Sequence, residues 1–571
     1  MMRIKFFTFP FLLFIGLHTY AQQVRISIVD HQTREALPYA SVFNKISQKG
    51  TLANAEGIAI IEANIQDTLE VMYLGYKNQK FVLNDIHFNV IELHPIVNEL
   101  GEIVVVADDA LLYQAIKNVK HQLQKQSKSS SKCFLQIETD NTKLPLELVQ
   151  AFYNGYMDKG VITDLKFKNG RVGLIEDEGR YFVSLNTSKV ISSFQLLNEN
   201  SSFEDGIFCM SGKKVRKNYE LRKIFDSNNS LQGISFTPRN NKKLWAGEVW
   251  FDEENHQPKK IVYEIQNTKK IPFFPIQPLD KMDNTNFKIE LNYESNKLYL
   301  LNFKYSFQYF SKRELEYKLD TISTIASIQL FDKKLFYLPW LDNIIDFNDY
   351  RKISLLTWNK DFWKNVELPE LTANQLSKIN YFEEYGKILN FEPKDKRLRK
   401  NDDFFFEHNN VIWSPHDRWT LSSINKIDNN EFDKNNFAKS KYHIVVDIIF
   451  DVNEIDGKLK CSSVSIIDVF NSKWYLPNEV TYNRFLNIYF DLCEIERRRM
   501  QSQIDLLTMP SIKEIEKVYL NSYRNLQKIL TQYRNEVDAG LQAHAMQKWN
   551  EFIKIELNVD NFKLLPTIDE K

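Results

Sequence analysis

Val24-Arg-Ile-Ser-Ile-Val29 alternates apolar and polar side chains with a period of two, the mark of a strand that turns one face to a core. Reading outward, further short segments of strand type follow: Leu37 to Phe43, Gly57 to Ile61, Leu69 to Tyr73, Phe81 to Leu83 and Val90 to Leu93. Turn-rich pieces separate them, among them Asp30-His-Gln-Thr-Arg34, Asn54-Ala-Glu-Gly57 and Gly75-Tyr-Lys-Asn78. Short strands at a spacing of roughly 8–12 residues predict a β-sandwich over residues 24–106.

Upstream of this segment the chain reads as a secretory signal. Arg3 and Lys5 precede an apolar run from Phe6 to Leu17, and Thr19-Tyr20-Ala21 places small residues where a signal peptidase inspects the chain. The run is shorter than the roughly 20 residues a bilayer span needs. Residues 1–21 are therefore expected to be a signal peptide, with a retained anchor as the alternative, and the mature chain to begin near Gln22. No Cys follows the run, so a lipidated N-terminus is not expected.

Particular residues in the first segment carry a resemblance. Asp30, Leu37-Pro-Tyr-Ala-Ser-Val42, Gly50-Thr51, Asn54-Ala-Glu-Gly57, Asp67-Thr-Leu69 and Tyr73-Leu-Gly-Tyr76 together resemble the carboxypeptidase-regulatory-like domain of exported Bacteroidetes proteins. Leu100-Gly-Glu-Ile-Val-Val-Val106 is similar to its exit strand. The resemblance implies a transthyretin-like seven-stranded sandwich without catalysis of its own. Gly57 and Gly75 would then serve turns that need positive φ.

Composition bounds the rest. A chain of 571 residues is too long for one core, and three or four domains are expected at roughly 100–200 residues each. Lys+Arg and Asp+Glu both number 74, so no basic excess points to nucleic acid. No later stretch carries 18 uninterrupted apolar residues, so no transmembrane helix is expected. The cysteines Cys133, Cys209, Cys461 and Cys493 form no CxxC. In an oxidising compartment one or two disulfides could form, Cys461–Cys493 being nearest in sequence. The other reading is four buried small hydrophobes.

Residues 107–132 read as a helix and a linker. Leu112, Ala115, Ile116, Val119 and Leu123 share one helical face over 108–127, and Gln126-Ser-Lys-Ser-Ser-Ser-Lys132 is polar. Residues 133–335 return to strands, with Ile234 to Phe236, Trp245 to Phe251, Lys260 to Ile265, Phe287 to Tyr293 and Tyr299 to Phe310 alternating well. The run Phe236-Thr-Pro-Arg, Gly247-Glu-Val-Trp-Phe-Asp252 and Pro258-Lys-Lys-Ile-Val262 is similar to the curved antiparallel sheet of LolA-like lipoprotein carriers. The resemblance implies a concave apolar face that holds either an acyl chain or an ordinary core. Residues 336–404 read as a connector with a helix from Ala373 to Leu389 capped by Thr372, and Lys394 to Lys400 should be exposed.

The C-terminal 405–571 read as an α+β domain. Val411-Ile-Trp-Ser-Pro415, Tyr442 to Phe450 and Cys461 to Phe470 are of strand type, and helices are predicted at Thr481–Leu506, Ser511–Asp538 and His544–Leu557. Phe490-Asp491-Leu492, Tyr533, Gly540, Gln547 and Trp549 resemble the pattern of a family of secreted zinc-dependent proteases. In that family an HExxH helix grips the metal from residues i and i+4, and its Glu activates the water. The resemblance puts Phe485 and Tyr489 at the two His positions, Leu486 at the Glu and Ala539 at a further His. The expectation is a degenerate domain that keeps the fold and has no catalytic residue, no metal and no cofactor.

Two other readings stand beside it. The segment could be a plain α+β domain, or a metal site could be rebuilt from His408, His416, His443 and His544 with Asp417, Asp447 and Asp491. No P-loop, dinucleotide fingerprint, GxSxG or HExxH occurs in the chain. The whole is expected to be a β-rich, multi-domain protein of the periplasm or outer membrane, a non-catalytic scaffold or binding protein. Its partner would be another envelope protein, a glycan or a lipid. A hydrolase with a rebuilt site and a lipid or lipoprotein carrier are the alternatives.

Overall fold

The alternation at Val24–Val29 does what its period requires. Val24, Ile26 and Ile28 are fully buried, while the residues between them face outward. They lie on β1 (Gln22–Asp30), the centre of a three-stranded sheet in the order β4-β1-β7. The computed structural model describes residues 22–94, 109–389 and 411–566 apart from internal breaks, the longest of them 342–351, 354–361 and 420–441. The signal segment, Gly75, the exit strand at 100–106, Lys394 to Lys400 and His408 fall outside the described residues.

Contacts divide the chain into two compact units. The first holds residues 1–104 with 226–229 and 367–376. After β1 come β2 (Ser41–Asn44), β3 (Lys49–Leu52), β4 (Ile58–Ala63), β5 (Thr68–Met72), β6 (Gln79–Val82) and β7 (Asn89–Leu93). A second sheet runs β3-β2-β5-β6, and the two sheets share one core of Val24, Ile26, Ile28, Val42, Leu69, Val71 and Ile91. β1 pairs antiparallel with β4 but parallel with β7, in the register Ile26↔Asn89 to Asp30↔Leu93.

The motif residues close the turns. Gly57 has φ +73°, and a Cβ there would stand 2.6 Å from the Ile28 carbonyl oxygen. The Asn54 side-chain oxygen accepts from the Glu56 and Ile58 amides at 2.8 and 3.0 Å. Asp30 Oδ1 accepts from the Gln32 and Thr33 amides, and the Tyr76 hydroxyl donates to Asp30 Oδ2 at 2.6 Å. That hydroxyl and the two amides hold the Asp30 carboxyl below its ordinary range.

The second unit opens with α1 (Asp109–Lys125). The antiparallel strands β8 (Ser129–Asn141), β9 (Pro145–Asp158) and β10 (Val161–Leu174) follow. A small ribbon, β11 (Glu176–Asp177) with β12 (Arg180–Tyr181), precedes α2 (Thr187–Ser193) and α3 (Gly212–Asn218). Then comes a meander of β13 (Tyr219–Phe225), β14 (Leu231–Pro238), β15 (Ala246–Asp252), β16 (Pro258–Thr268), β17 (Lys281–Glu294), β18 (Lys297–Arg313) and β19 (Glu316–Phe331). These join in one curved eleven-stranded sheet, from β13 through β19 and on through β8, β9 and β10 to β21 (Lys387–Leu389).

Two expectations need correction here. The polar segment Gln126–Lys132 is not all linker: Ser129 to Lys132 begin β8 and pair with Met157 to Asn154. A serine-rich strand survives because its hydroxyls find carbonyls, as when the buried Ser131 donates to Phe331 O at 2.7 Å. The helix expected to reach Leu389 ends sooner, as α4 (Ala373–Tyr385), and the chain becomes β21. Gly386 makes the switch: a Cβ there would lie 2.3 Å from the Leu174 carbonyl, so only glycine lets the backbones meet. The N-terminus of that helix is as expected, with Thr372 Oγ1 accepting from the Gln375 amide and Gln375 Oε1 from the Thr372 amide.

One face of the large sheet is filled by the chain itself. Phe194 and Phe203, from the segment after α2, stack edge-on against each other at 5.5 Å, and Phe203 meets Phe287 at 5.6 Å. Trp245 lies 5.6 Å from Tyr263 in the same layer. Between Ile191, Phe194, Phe203, Ile289, Leu301 and Phe303 the space left is about 10 Å³, room for one water at most.

The C-terminal part adds a four-stranded sheet in the order β20-β24-β25-β22. Its members are β20 (Trp340–Leu341), β22 (Val411–Ile412), β24 (Val446–Ile455) and β25 (Lys458–Ile467), and β23 (Tyr442–His443) pairs with β26 (Lys473–Trp474). Helices α5 (Val480–Asp505), α6 (Ile512–Val537), α7 (Ala543–Leu557) and α8 (Asn561–Leu564) complete it. Lys168 of β10 donates to Asp451 Oδ1 and to Val452 O of β24, each at 2.6 Å, so a buried ion pair links the two sheets. All four cysteines stand as free thiols, Cys133 and Cys493 buried and Cys209 and Cys461 half-buried.

Candidate functional site

Helix α5 is the axis of the C-terminal region. Every residue from Asn483 to Glu496 is buried, as expected of a helix enclosed on all sides rather than laid on a surface. Ser511 starts the next helix with a reciprocal cap: its hydroxyl accepts from the Glu514 amide and the Glu514 carboxylate accepts from the Ser511 amide. The left-handed residues Asp538 and Ala539 then turn the chain back toward the first turn of α5.

The positions singled out in the sequence do gather here. Phe485 and Tyr489, one turn apart, stand with ring centroids 6.2 Å from each other. Tyr533 of α6 stacks on Phe485 at 5.1 Å and donates its hydroxyl to the Phe485 carbonyl at 3.1 Å. Tyr442 meets Phe485 edge-on at 5.2 Å, and Trp549 of α7 meets Tyr533 at 5.6 Å. Ala539 is buried, and its neighbour Gly540, at φ +98°, leaves only 3.6 Å between a built Cβ and that of Phe485. Leu486 is buried in the same core. Burial pushes the Tyr489 hydroxyl up to about 12 and that of Tyr533 well above its ordinary value. Both stay protonated and neutral at neutral pH, and neither offers a metal a phenolate.

A second side of α5 is polar, and its groups are engaged. Asn487 brackets the Trp419 backbone, accepting from its amide at 2.9 Å and donating to its carbonyl at 2.8 Å. Asp491 accepts from Trp413 Nε1 at 2.7 Å, from Arg418 at 2.9 Å and from Asn561 Nδ2 at 2.7 Å. Arg418 also donates to the Ser414 carbonyl and to Asn561. Glu494 takes Arg497, Arg498 and Ser465. Burial alone would raise its carboxyl, but these donors hold it below the ordinary range. Asp491 was visible in the sequence. Its partners Trp413, Arg418 and Asn561 lie some 70 residues away on either side, and only the fold brings them in.

Among its described members the alternative ligand set does not converge. His416, His443 and His544 are exposed on separate segments, Asp417 is exposed, and the Asp491 oxygens are already taken. Among the described residues no three His, Cys, Asp or Glu side chains are placed to hold a metal.

No family model matches this chain. No curated protein is similar to it either. A solved structure from Bacteroides fragilis, a protein of unknown function described as membrane-associated, aligns with 55% of this chain and 98% of its own at 8% identity and a TM-score of 0.11. So loose a superposition fixes neither fold nor activity. Among the described residues no helix is long and apolar enough to cross a membrane.

Proposed function

We propose that this chain is an exported cell-envelope protein that binds or scaffolds rather than catalyses. In this reading its C-terminal region is a protease-like module whose metal centre has been replaced by aromatic packing. One observation carries it: Phe485 and Tyr489, at the spacing that would grip a zinc ion, are stacked with Tyr533 and sealed from solvent. A phenyl ring has no lone pair, and the two hydroxyls are held neutral by burial. The Asp30–Tyr76 bond and the Gly57 turn support reading the first unit as the carboxypeptidase-regulatory-like sandwich, which contributes binding surface and no chemistry. The carrier alternative finds little support in the large sheet, whose face is occupied by Phe194, Phe203 and Trp245.

The test is elemental analysis of the mature chain after zinc incubation and desalting. Far less than one zinc per chain is expected. Near-stoichiometric zinc, or a saturable hydrolase activity, would overturn the proposal.

A further inference from the structure

We infer that the end of the large sheet where α1, the β9–β10 turn and the β17–β18 turn meet is a binding site for a phosphomonoester-type dianion. A concavity of about 180 Å³ opens there. Its lining carries Lys125, Lys159 and Lys297 against a single acid, Asp158, so three positive charges face one negative and the net is +2. Among the described residues no ion pair or hydrogen bond engages any of these three ammonium groups. Two buried lysines of the same unit are paired by contrast: Lys168 with Asp451, and Lys378 with Glu138 and Asp140.

The sequence builds the site through its turns. Lys159 and Gly160 both have positive φ, 48° and 83°, which makes the two-residue β9–β10 link a type I′ turn with Lys159 at its tip. Gly160 allows the close approach, since a Cβ there would stand 2.8 Å from the Leu123 side chain. The floor is fixed by two bonds: the Tyr293 hydroxyl donates to Gly160 O at 2.8 Å, and Gln126 Nε2 donates to Asn296 Oδ1 at 2.8 Å. Lysines on a firm floor keep their heads in water while their stems line the wall.

The chemistry selects the ligand. Lysine presents a point charge that suits a phosphate from any direction, whereas a planar carboxylate is best met by an arginine fork, and no arginine lines this site. The volume is well below the roughly 300–1,000 Å³ of sites for drug-sized molecules, and suits a phosphate with a few atoms of its carrier. Lys125 sits in the last turn of α1 and offsets the partial negative charge of the helix end. Lys159 and Lys297 therefore supply most of the attraction. This site stands apart from the C-terminal reading, and the zinc result leaves it untouched.

The test uses the mature chain with two probes: glycerol 3-phosphate by calorimetry at low salt, and flotation with phosphatidylcholine vesicles with or without phosphatidic acid. Saturable binding that weakens with salt is expected. The double variant Lys159→Gln/Lys297→Gln should lose about 25-fold, at roughly fivefold for each ammonium removed from a water-like setting. Asp158→Asn should strengthen binding. Uptake of the soluble probe assigns the site to free phosphomonoesters, and binding to phosphatidic acid vesicles alone assigns it to a lipid headgroup. If the parent chain binds neither probe, or the double variant binds as well as the parent, the inference falls.

Discussion

Replacing Phe485 with Ala separates a packing position from a relic of chemistry. The ring is fully buried and touches Tyr442, Tyr489 and Tyr533 with centroids at 5.2, 6.2 and 5.1 Å. Removing a phenyl from such a site costs the lost transfer energy plus the cavity, about 3–5 kcal/mol. The aromatic contacts account for about 0.5–1.5 kcal/mol of that for each pair that is lost outright. Phe485→Leu keeps much of the volume and should cost clearly less. Phe485→His should cost about as much as Ala, because the imidazole gives up the stacking on Tyr533 and carries two polar nitrogens into a fully buried ring cluster. Urea unfolding followed by far-ultraviolet circular dichroism reads this out, since the long helices α5, α6 and α7 cluster in this region. A loss below about 1 kcal/mol for Phe485→Ala, or a His variant more stable in zinc than without it, would refute the packing account.

Other outcomes can be checked on the same material. Lys168→Met leaves the Asp451 carboxylate buried without its cation and should cost about 3–5 kcal/mol, with partial recovery in Lys168→Met/Asp451→Asn, both measured by denaturant titration. Glu494 is held below its ordinary value of 4.5, so its contribution is present above that pH and lost as pH falls through the lower folded value. Acid unfolding of Glu494→Gln should accordingly be shallower below about pH 4.5 than that of the parent. Ser511→Ala removes the reciprocal cap of α6 and should cost about 1 kcal/mol by the same titration. Alkylation of the unfolded, unreduced chain should label all four cysteines by mass, and two fewer labels would mean that a disulfide had formed.

Much of the fold was legible where one face is wet. The alternation of β1, β15 and β16 announced itself, and so did the three long C-terminal helices with Ser511 before the second. Strand β9 did not, because Leu146 to Tyr153 are all buried and a strand covered on both faces has no period of two to read. The start of β8 hid among serines whose hydroxyls bond to backbone. At the candidate site the spacing of Phe485 and Tyr489 was readable, and their burial followed from the apolar helix. The clasp of Trp413, Arg418 and Asn561 around Asp491 was not, since nothing local marks a residue whose partner lies about 70 positions away.

The parallel pairing of β1 with β7 has a mechanical consequence. Because both strands run the same way, Gln22 and Leu93 lie toward opposite ends of the sandwich, about 26 Å apart along eight strand steps. Tension applied through these two points pulls the neighbouring strands past each other. The five-residue ladder from Ile26↔Asn89 to Asp30↔Leu93 then carries the load as a set, where an antiparallel hairpin pulled from its open end would yield one rung at a time. Pulled through these two points, the β1–β7 pair is thus loaded as an in-line shear clamp rather than as a zipper.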